Sequence, residues 1–304
     1  MAATARLHSS STGEPAARID RLRRQLCALE AATGLAGDCG APLALGSPVI
    51  DGALGGGLSA GALHEIAAAR EAETAAASGF ALALAARRTS LRGAPSISGL
   101  PAIGSSCDAR ARNDESAISV LTPGRNVLWI AEDLSLAENG APYGPGLDGI
   151  GIAPERLITV AAARERDVLW AMEEALRCRA VGMVIGEMRP RGIDQVATRR
   201  LALAAAAGNA LGFILRTAPD DGPSAAATRW IIGAAPSPHS GEGDDGRHGV
   251  GPPRLLARLV RNRRGHLGAW IVEWNSVEQR FELTTHSEPV ARSAFDRPRR
   301  TAVA

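Results

Sequence analysis

Short apolar runs alternate with alanine-rich, helix-favouring stretches along most of this chain, and that alternation limits what it can fold into. NVLWIAED (Asn126–Asp133), VGMVIGEM (Val181–Met188) and GFILRT (Gly212–Thr217) are near-continuous apolar runs of strand length. Such runs belong to strands covered on both faces, since a half-exposed strand would alternate. Leu157–Ala161 reads as a further strand. Ala62–Ala67 reads as another, set off by the glycines of GGGLSAG (Gly55–Gly61). Three helical stretches lie between them: Ala72–Arg88, rich in alanine; ERDVLWAMEEALRCRA, with Val168, Leu169, Met172 and Leu176 on one face; and DQVATRRLALAAAAGNA. A short helical turn near Val49–Leu54 precedes them all. The expected fold is α/β, a mainly parallel sheet with helices on both faces.

After Arg229 the pattern changes. RWIIGAAPS, RLLARLVRN, AWIVEWN and QRFEL follow one another as strands with no helix between, so antiparallel strands are expected to close the sheet. The polar, Gly/Pro-rich Pro236–Pro253 is a loop between two of them, and residues 89–124 form a flexible insertion. The domain reading is 1–14 disordered, 15–40 an amphipathic helix and linker, 41–284 a core with insertions at 89–124 and 236–253, and 285–304 a disordered tail. In the N-terminal helix Ile19, Leu22, Leu26 and Leu29 fall at helical spacing among Arg18, Arg21, Arg23 and Arg24. That stripe either packs on the body of the protein or docks a partner.

Composition removes several classes of chemistry. There is no lysine in the 304 residues, so all 34 basic residues are arginine and no lysine nucleophile or phosphate-loop lysine exists. The formal charge of +2 does not imply nucleic acid or membrane. Apolar types make up 45% and aromatics 3%, so the core is expected to be mostly Ala, Leu, Val and Ile. Cys27, Cys39, Cys107 and Cys178 lie far apart and the six histidines are dispersed, so neither a metal site nor a disulfide framework is expected. No signal peptide and no membrane span are visible, which makes the cytoplasm the expected location.

HEIAAAREAETAAASGFALALA (His64–Ala85) is a strand, a loop and a helix, the junction at which nucleotide-binding proteins carry a phosphate loop. Such a loop needs glycines to turn backbone N–H groups inward, a lysine for the outer phosphates and a Ser/Thr hydroxyl for magnesium. Between Ala67 and Ala75 there is neither glycine nor lysine. Ala67 and Ala68 stand at its start, Glu71 and Glu73 would repel a triphosphate, and Thr74 offers a hydroxyl alone. The segment is expected to serve packing, and no cofactor is expected.

The order of segments resembles RecA-type recombinases. GSPVIDGALGGGLSAGALHEI resembles the lead-in to their ATP site, and NVLWIAED the strand that carries a catalytic glutamate. VGMVIGEM stands in the place of the magnesium-binding strand, and RLLARLVRNRRGHLGAWIVEW resembles the paired C-terminal strands. The resemblance covers roughly residues 42–283 with two insertions, and its order and spacing carry it more than any single motif. FALALAARR, LWIAEDLSLAENGAPYGPGLDGIGI, RLITVAAARERDVLWAMEEALR, FILRT, SAAATRW and ARLVRNRRG are similar to the alphaproteobacterial branch of the ImuA family. The resemblance implies a RecA-like core and an accessory role in bacterial damage-induced mutagenesis. It implies as partners an ImuB-type Y-family-like protein, RecA itself and an error-prone replicative-type DNA polymerase.

The departures from an active recombinase point away from an enzyme. Gly186 stands where a magnesium-binding aspartate is expected, and Glu187 beside it projects to the opposite face of a strand. Glu132 and Asp133 supply a base with nothing to act on, and these acids are expected to be solvated strand ends. RPRG (Arg189–Gly192) and APDDGPSAA (Ala218–Ala226) match the recombinases' DNA-lining loops, but Asp220 and Asp221 disfavour phosphate. Arg189, Arg191, Arg199 and Arg200 form one candidate basic patch. Arg261, Arg263 and Arg264 with His266, in the turn RNRRGH, form another for DNA or a partner. A solvated turn is the plainer reading of the second, and DNA contact is expected to be indirect. Trp129, Trp170, Trp230, Trp270 and Trp274 look mostly like core, His64 like a strand-edge histidine and Cys178 like a small buried residue.

The expected function is therefore a non-catalytic RecA-like accessory protein of SOS-induced translesion synthesis. Two alternatives stay open. One is an ATP-dependent RecA-like DNA-binding protein. The other is a SulA-like cell-division inhibitor, for which the strand series running through Phe281 is too long.

Overall fold

A computed structural model describes residues 41–90, 126–178, 180–189, 193–237, 239–240 and 249–284. The expected disordered ends (1–14 and 285–304), the N-terminal helix and linker (15–40) and nearly all of the insertion 89–124 lie outside the described residues.

The lead-in helix α1 (Pro48–Leu54) opens the core, with proline at its first turn, where a missing N–H costs nothing. Strand β1 (Leu63–Ala68) is buried at every position. A 3-10 turn at Glu71–Glu73 leads into α2 (Thr74–Ser90), so the expected helix is preceded by a distinct turn. Strand β2 (Asn126–Glu132) hands directly to α3 (Asp133–Asn139), and α4 (Gly144–Ile150) follows. Next come β3 (Leu157–Ala162), α5 (Glu165–Arg177) and β4 (Val181–Met188). Helix α6 (Gln195–Gly208) starts at Asp194, whose carboxylate accepts the Ala197 N–H at 2.6 Å. Strands β5 (Leu211–Arg216) and β6 (Thr228–Ala235) complete the parallel part. The polar loop before the last strands is not featureless: β7 (His239–Ser240) and β8 (Gly249–Val250) pair as a two-residue ladder. β9 (Arg254–Asn262), β10 (Gly268–Asn275) and β11 (Arg280–Leu283) end the core.

Nine strands form one sheet in the order β11-β10-β9-β6-β1-β5-β4-β2-β3. From β6 to β3 every pairing is parallel, and from β6 to β11 every pairing is antiparallel. This is the expected architecture: a RecA-like α/β core closed by antiparallel C-terminal strands.

Alternate strand residues feed two cores, one on each face. On one face α2 lays Phe80 and Leu84 against Trp129, Phe213, Trp230 and Phe281. The few aromatic residues are concentrated here, with ring centroids 5.0 Å apart for Phe80–Phe281 and 5.5 Å for Phe80–Trp230. Fully burying a side chain of this size contributes roughly 2–3 kcal/mol. On the other face α5 and α6 bury Val168, Met172, Leu176 and Leu201 against Leu63, Val184 and Ile214. These two helices touch at Gly208, where an added Cβ would lie 1.9 Å from the Leu176 carbonyl oxygen. Alanine is excluded there by backbone, not by a yielding side chain.

Three sequence expectations are corrected. Cys178, just past the end of α5, is exposed, because the helix stops at Arg177 and turns the thiol outward. Trp170 is 64% exposed, since it lies on the side of α5 away from Val168 and Met172. His64 is not at a strand edge: β1 runs between β5 and β6, and the imidazole is fully buried.

Candidate functional site

The carboxyl ends of β1, β2 and β4 meet the amino end of α2, the position where parallel α/β sheets present ligands. The link from β1 to α2 sets what this position offers. The Ala69 N–H donates to the Ile232 carbonyl at 2.7 Å, and the Glu73 N–H to the Arg70 carbonyl at 2.8 Å. None of residues 69–73 has a positive φ, so the link lacks the left-handed steps that turn successive N–H groups toward an anion. The Thr74 hydroxyl donates to the Glu71 carbonyl at 2.6 Å. Glu73 accepts from Arg70 at 2.8 Å and from the Ala234 N–H at 3.4 Å. The Arg70 hydrogen bond holds its carboxyl below the usual range. Ala67 and Ala68 are buried at the end of β1.

Beside this link is a pocket of about 410 Å³ whose walls include Thr74, Ser78 and Gly79 of α2, Trp129 of β2, Asn139 and Glu187. Glu187 is only 5% exposed and lines this pocket, which corrects the expectation that it projects to the face away from the nucleotide position. Its Oε1 accepts from the Ser135 hydroxyl at 2.6 Å and the Asn139 amide at 3.3 Å, and its Oε2 from the Trp129 indole at 3.2 Å. Period-two alternation puts Glu187 on the α2 face with Met183 and Ile185. Gly186 therefore faces α5, where a Cβ would lie 2.0 Å from the Met172 sulfur. An aspartate there would point away from the pocket. Of the two acids ending β2, Asp133 is exposed and Glu132 is partly covered, 3.8 Å from Arg189.

A second polar cluster lies on the opposite face of β1. Glu65 Oε2 receives Arg229 Nε at 2.5 Å and its Oε1 the Ser224 hydroxyl at 2.5 Å. The Arg229 Nη2 reaches the Gly222 carbonyl at 2.9 Å. Asp220 is turned inward, pairing with the buried Arg216 at 2.9 Å and accepting the Gly222 N–H at 2.8 Å, while Asp221 is exposed. The segment Ala218–Ala226 is thus organised by its own acid. On the α2 side of β1, His64 Nε2 donates to the Ser59 carbonyl at 3.1 Å, so its Nδ1 accepts from the Thr228 hydroxyl at 2.8 Å. Burial, the largest influence, lowers its pKa from 6.5 to about 4.

The candidate arginines do not form one surface. Arg189, at the carboxyl end of β4, is paired with Glu138 and lies near Glu132. Arg261 pairs across the sheet with Arg229, at the amino end of β6, so it sits at the opposite end of the sheet. Burial, then the charges of Arg263 and Arg229, lower its pKa, with Glu65 acting the other way. Arg263 and Arg264 are exposed, and Arg263 Nη2 lies 3.4 Å from the Ser224 carbonyl. Arg199 and Arg200 are both exposed, and Arg200 pairs with Glu173. Arg191 lies outside the described residues.

Two curated proteins from two strains of Caulobacter vibrioides, each named Protein ImuA, are 33% identical to this chain over 243 residues, 76% of this chain and 82% of theirs. The chain belongs to the ImuA family. No family model matches it. The likeness to the ImuA proteins agrees with the resemblance read from the sequence segments. Ile19, Leu22, Leu26 and Leu29, the candidate partner stripe, lie outside the described residues. The hydrogen-bond partners of Glu187 were missed in the sequence. The available signal was the alternation of Met183, Ile185 and Glu187, which places the acid inward. Ser135 and Asn139, four residues apart on α3, gave no separate sign.

Proposed function

We propose that the chain is a non-catalytic, RecA-like accessory protein of SOS-induced translesion DNA synthesis. It binds an ImuB-type Y-family-like protein and supports an error-prone replicative-type polymerase, with RecA as a further partner, in the cytoplasm. The observation that supports this best is the link from Ala69 to Thr74. It has no glycine and no lysine, spends the Ala69 and Glu73 N–H groups on backbone carbonyls, ties down the Thr74 hydroxyl and carries Glu71 and Glu73. A triphosphate placed there would meet Glu71 and Glu73, with Arg70, the one cation of the link, already paired to Glu73, where an active site supplies free donors and a cation. What remains is a rigid sheet and its surfaces, and no described helix is long and apolar enough to cross a membrane.

Titration of the full chain with labelled ATP and magnesium tests the loss of nucleotide chemistry: no saturable binding is expected, and magnesium-dependent hydrolysis would sink the reading. Co-purification with an ImuB-type partner tests the docking part. Leu22→Asp with Leu26→Asp is expected to reduce recovery of the partner, and unchanged recovery would remove the N-terminal stripe from the account.

A further inference from the structure

We propose that the pocket between α2, β2 and β4 binds an organic cation of the guanidinium class, with Glu187 as its counter-ion. A buried carboxylate is costly unless it is paired. Among the described residues the other two buried glutamates obey that rule, Glu65 holding Arg229 and Glu173 holding both Arg177 and Arg200. Glu187 is buried as deeply and has three neutral donors: an indole, a hydroxyl and an amide. A carboxylate offers about four acceptor directions, so these three donors leave one unused on a residue that lines the pocket.

The surroundings select the sign and shape of the ligand. Among the described residues Glu187 is the one charged side chain lining the pocket, and the neighbouring segments carry Glu71, Glu73, Glu132, Asp133 and Glu138, of which Glu73 pairs with Arg70 and Glu138 with Arg189. The amino end of α2 offsets part of this negative charge but not most of it. An anion is therefore disfavoured and a cation drawn in. Among the described residues no three His, Cys, Asp or Glu side chains converge as a metal site would require. The Trp129 indole in the wall suits a planar, weakly hydrated guanidinium, which gains from an aromatic neighbour and from a carboxylate together. The cation is either a free small molecule or an arginine side chain on a protein.

This inference rests on the reading that the pocket no longer takes a nucleotide. The test uses the full chain, titrated separately with agmatine, with a blocked Gly-Arg-Gly peptide and with ATP and magnesium. Calorimetry and the indole N–H resonance of Trp129, assigned with Trp129→Phe, are the readouts. Agmatine or the peptide is expected to saturate and to move that resonance. Equal affinities identify a free cation as the ligand, and a peptide about tenfold tighter identifies a protein arginine. Glu187→Gln is expected to weaken binding at least about tenfold. Gly79→Leu is an independent block, because a Cβ at Gly79 meets no atom within 4 Å and the side chain leaves Glu187 in place. No saturable shift with either cation, or undiminished binding by both folded variants, overturns the proposal. ATP binding would instead overturn the proposed function, so the two failures are distinct.

Discussion

Glu65 and Arg229 form an ion pair across β1 and β6, 2.5 Å apart and almost wholly buried. Removing one partner leaves the other buried without a counter-charge, while replacing both by apolar side chains leaves no unpaired charge. Arg229→Met alone is expected to cost about 3–5 kcal/mol, and Glu65→Leu with Arg229→Met clearly less than the sum of the singles. Urea denaturation of the three variants measures the coupling, and strict additivity would show that the pair does not interact.

His64 gives the core a dependence on acid. Its pKa is about 4 in the folded chain against 6.5 for an ordinary histidine. The unfolded chain therefore binds more protons between those values. The stabilisation is complete above about pH 6.5 and is lost as pH falls toward 4, amounting to about 3 kcal/mol at most. Thermal unfolding across this range is expected to show a shallower slope in His64→Gln than in the natural chain. Parallel slopes would rule out His64 as the source.

Gly186→Asp, which restores an acid expected of a magnesium-binding strand, is expected to destabilise rather than to create a metal site. The new side chain meets the Met172 sulfur in the core beneath α5. Overpacking and a buried, unpaired carboxylate together cost about 3 kcal/mol or more. Calorimetry with and without magnesium is the measurement, and a raised melting temperature on adding magnesium would contradict the assignment of faces.

Trp170 and Trp230 are expected to behave oppositely. Trp170→Ser, at a side chain 64% exposed, should change stability by less than about 0.5 kcal/mol. Trp230→Ala, fully buried between Phe80 and Trp270, should cost about 3–5 kcal/mol. Denaturation midpoints of the two variants decide this.

The central strands were legible because burial on both faces leaves continuous apolar runs, and VGMVIGEM is β4 from end to end. Helices α3 and α4 were not foreseen. DLSLAEN and GPGLDGI are single turns or two, with glycine and proline in the second, and tertiary contacts hold them more than propensity does. The exposure of Trp170 was available in principle. Two residues from Val168 is a turn of about 200° on a helix, which puts the indole opposite the buried stripe. The burial of Glu187 needed a partner strand. Its alternation with Ile185 points it inward, but only the pairing of β2 with β4 brings Trp129 within reach. The splitting of the candidate arginines between opposite ends of the sheet likewise follows from strand order, which no local pattern encodes.

Arg87, near the end of α2, donates to the Ala44 carbonyl and, at 2.5 Å, to the Gln279 carbonyl, and the Phe281 N–H meets the Leu45 carbonyl at 3.1 Å. One guanidinium thus clasps the entrance and the exit of the core. The first and last segments of the described core are thereby locked side by side, so loosening one is expected to free the other.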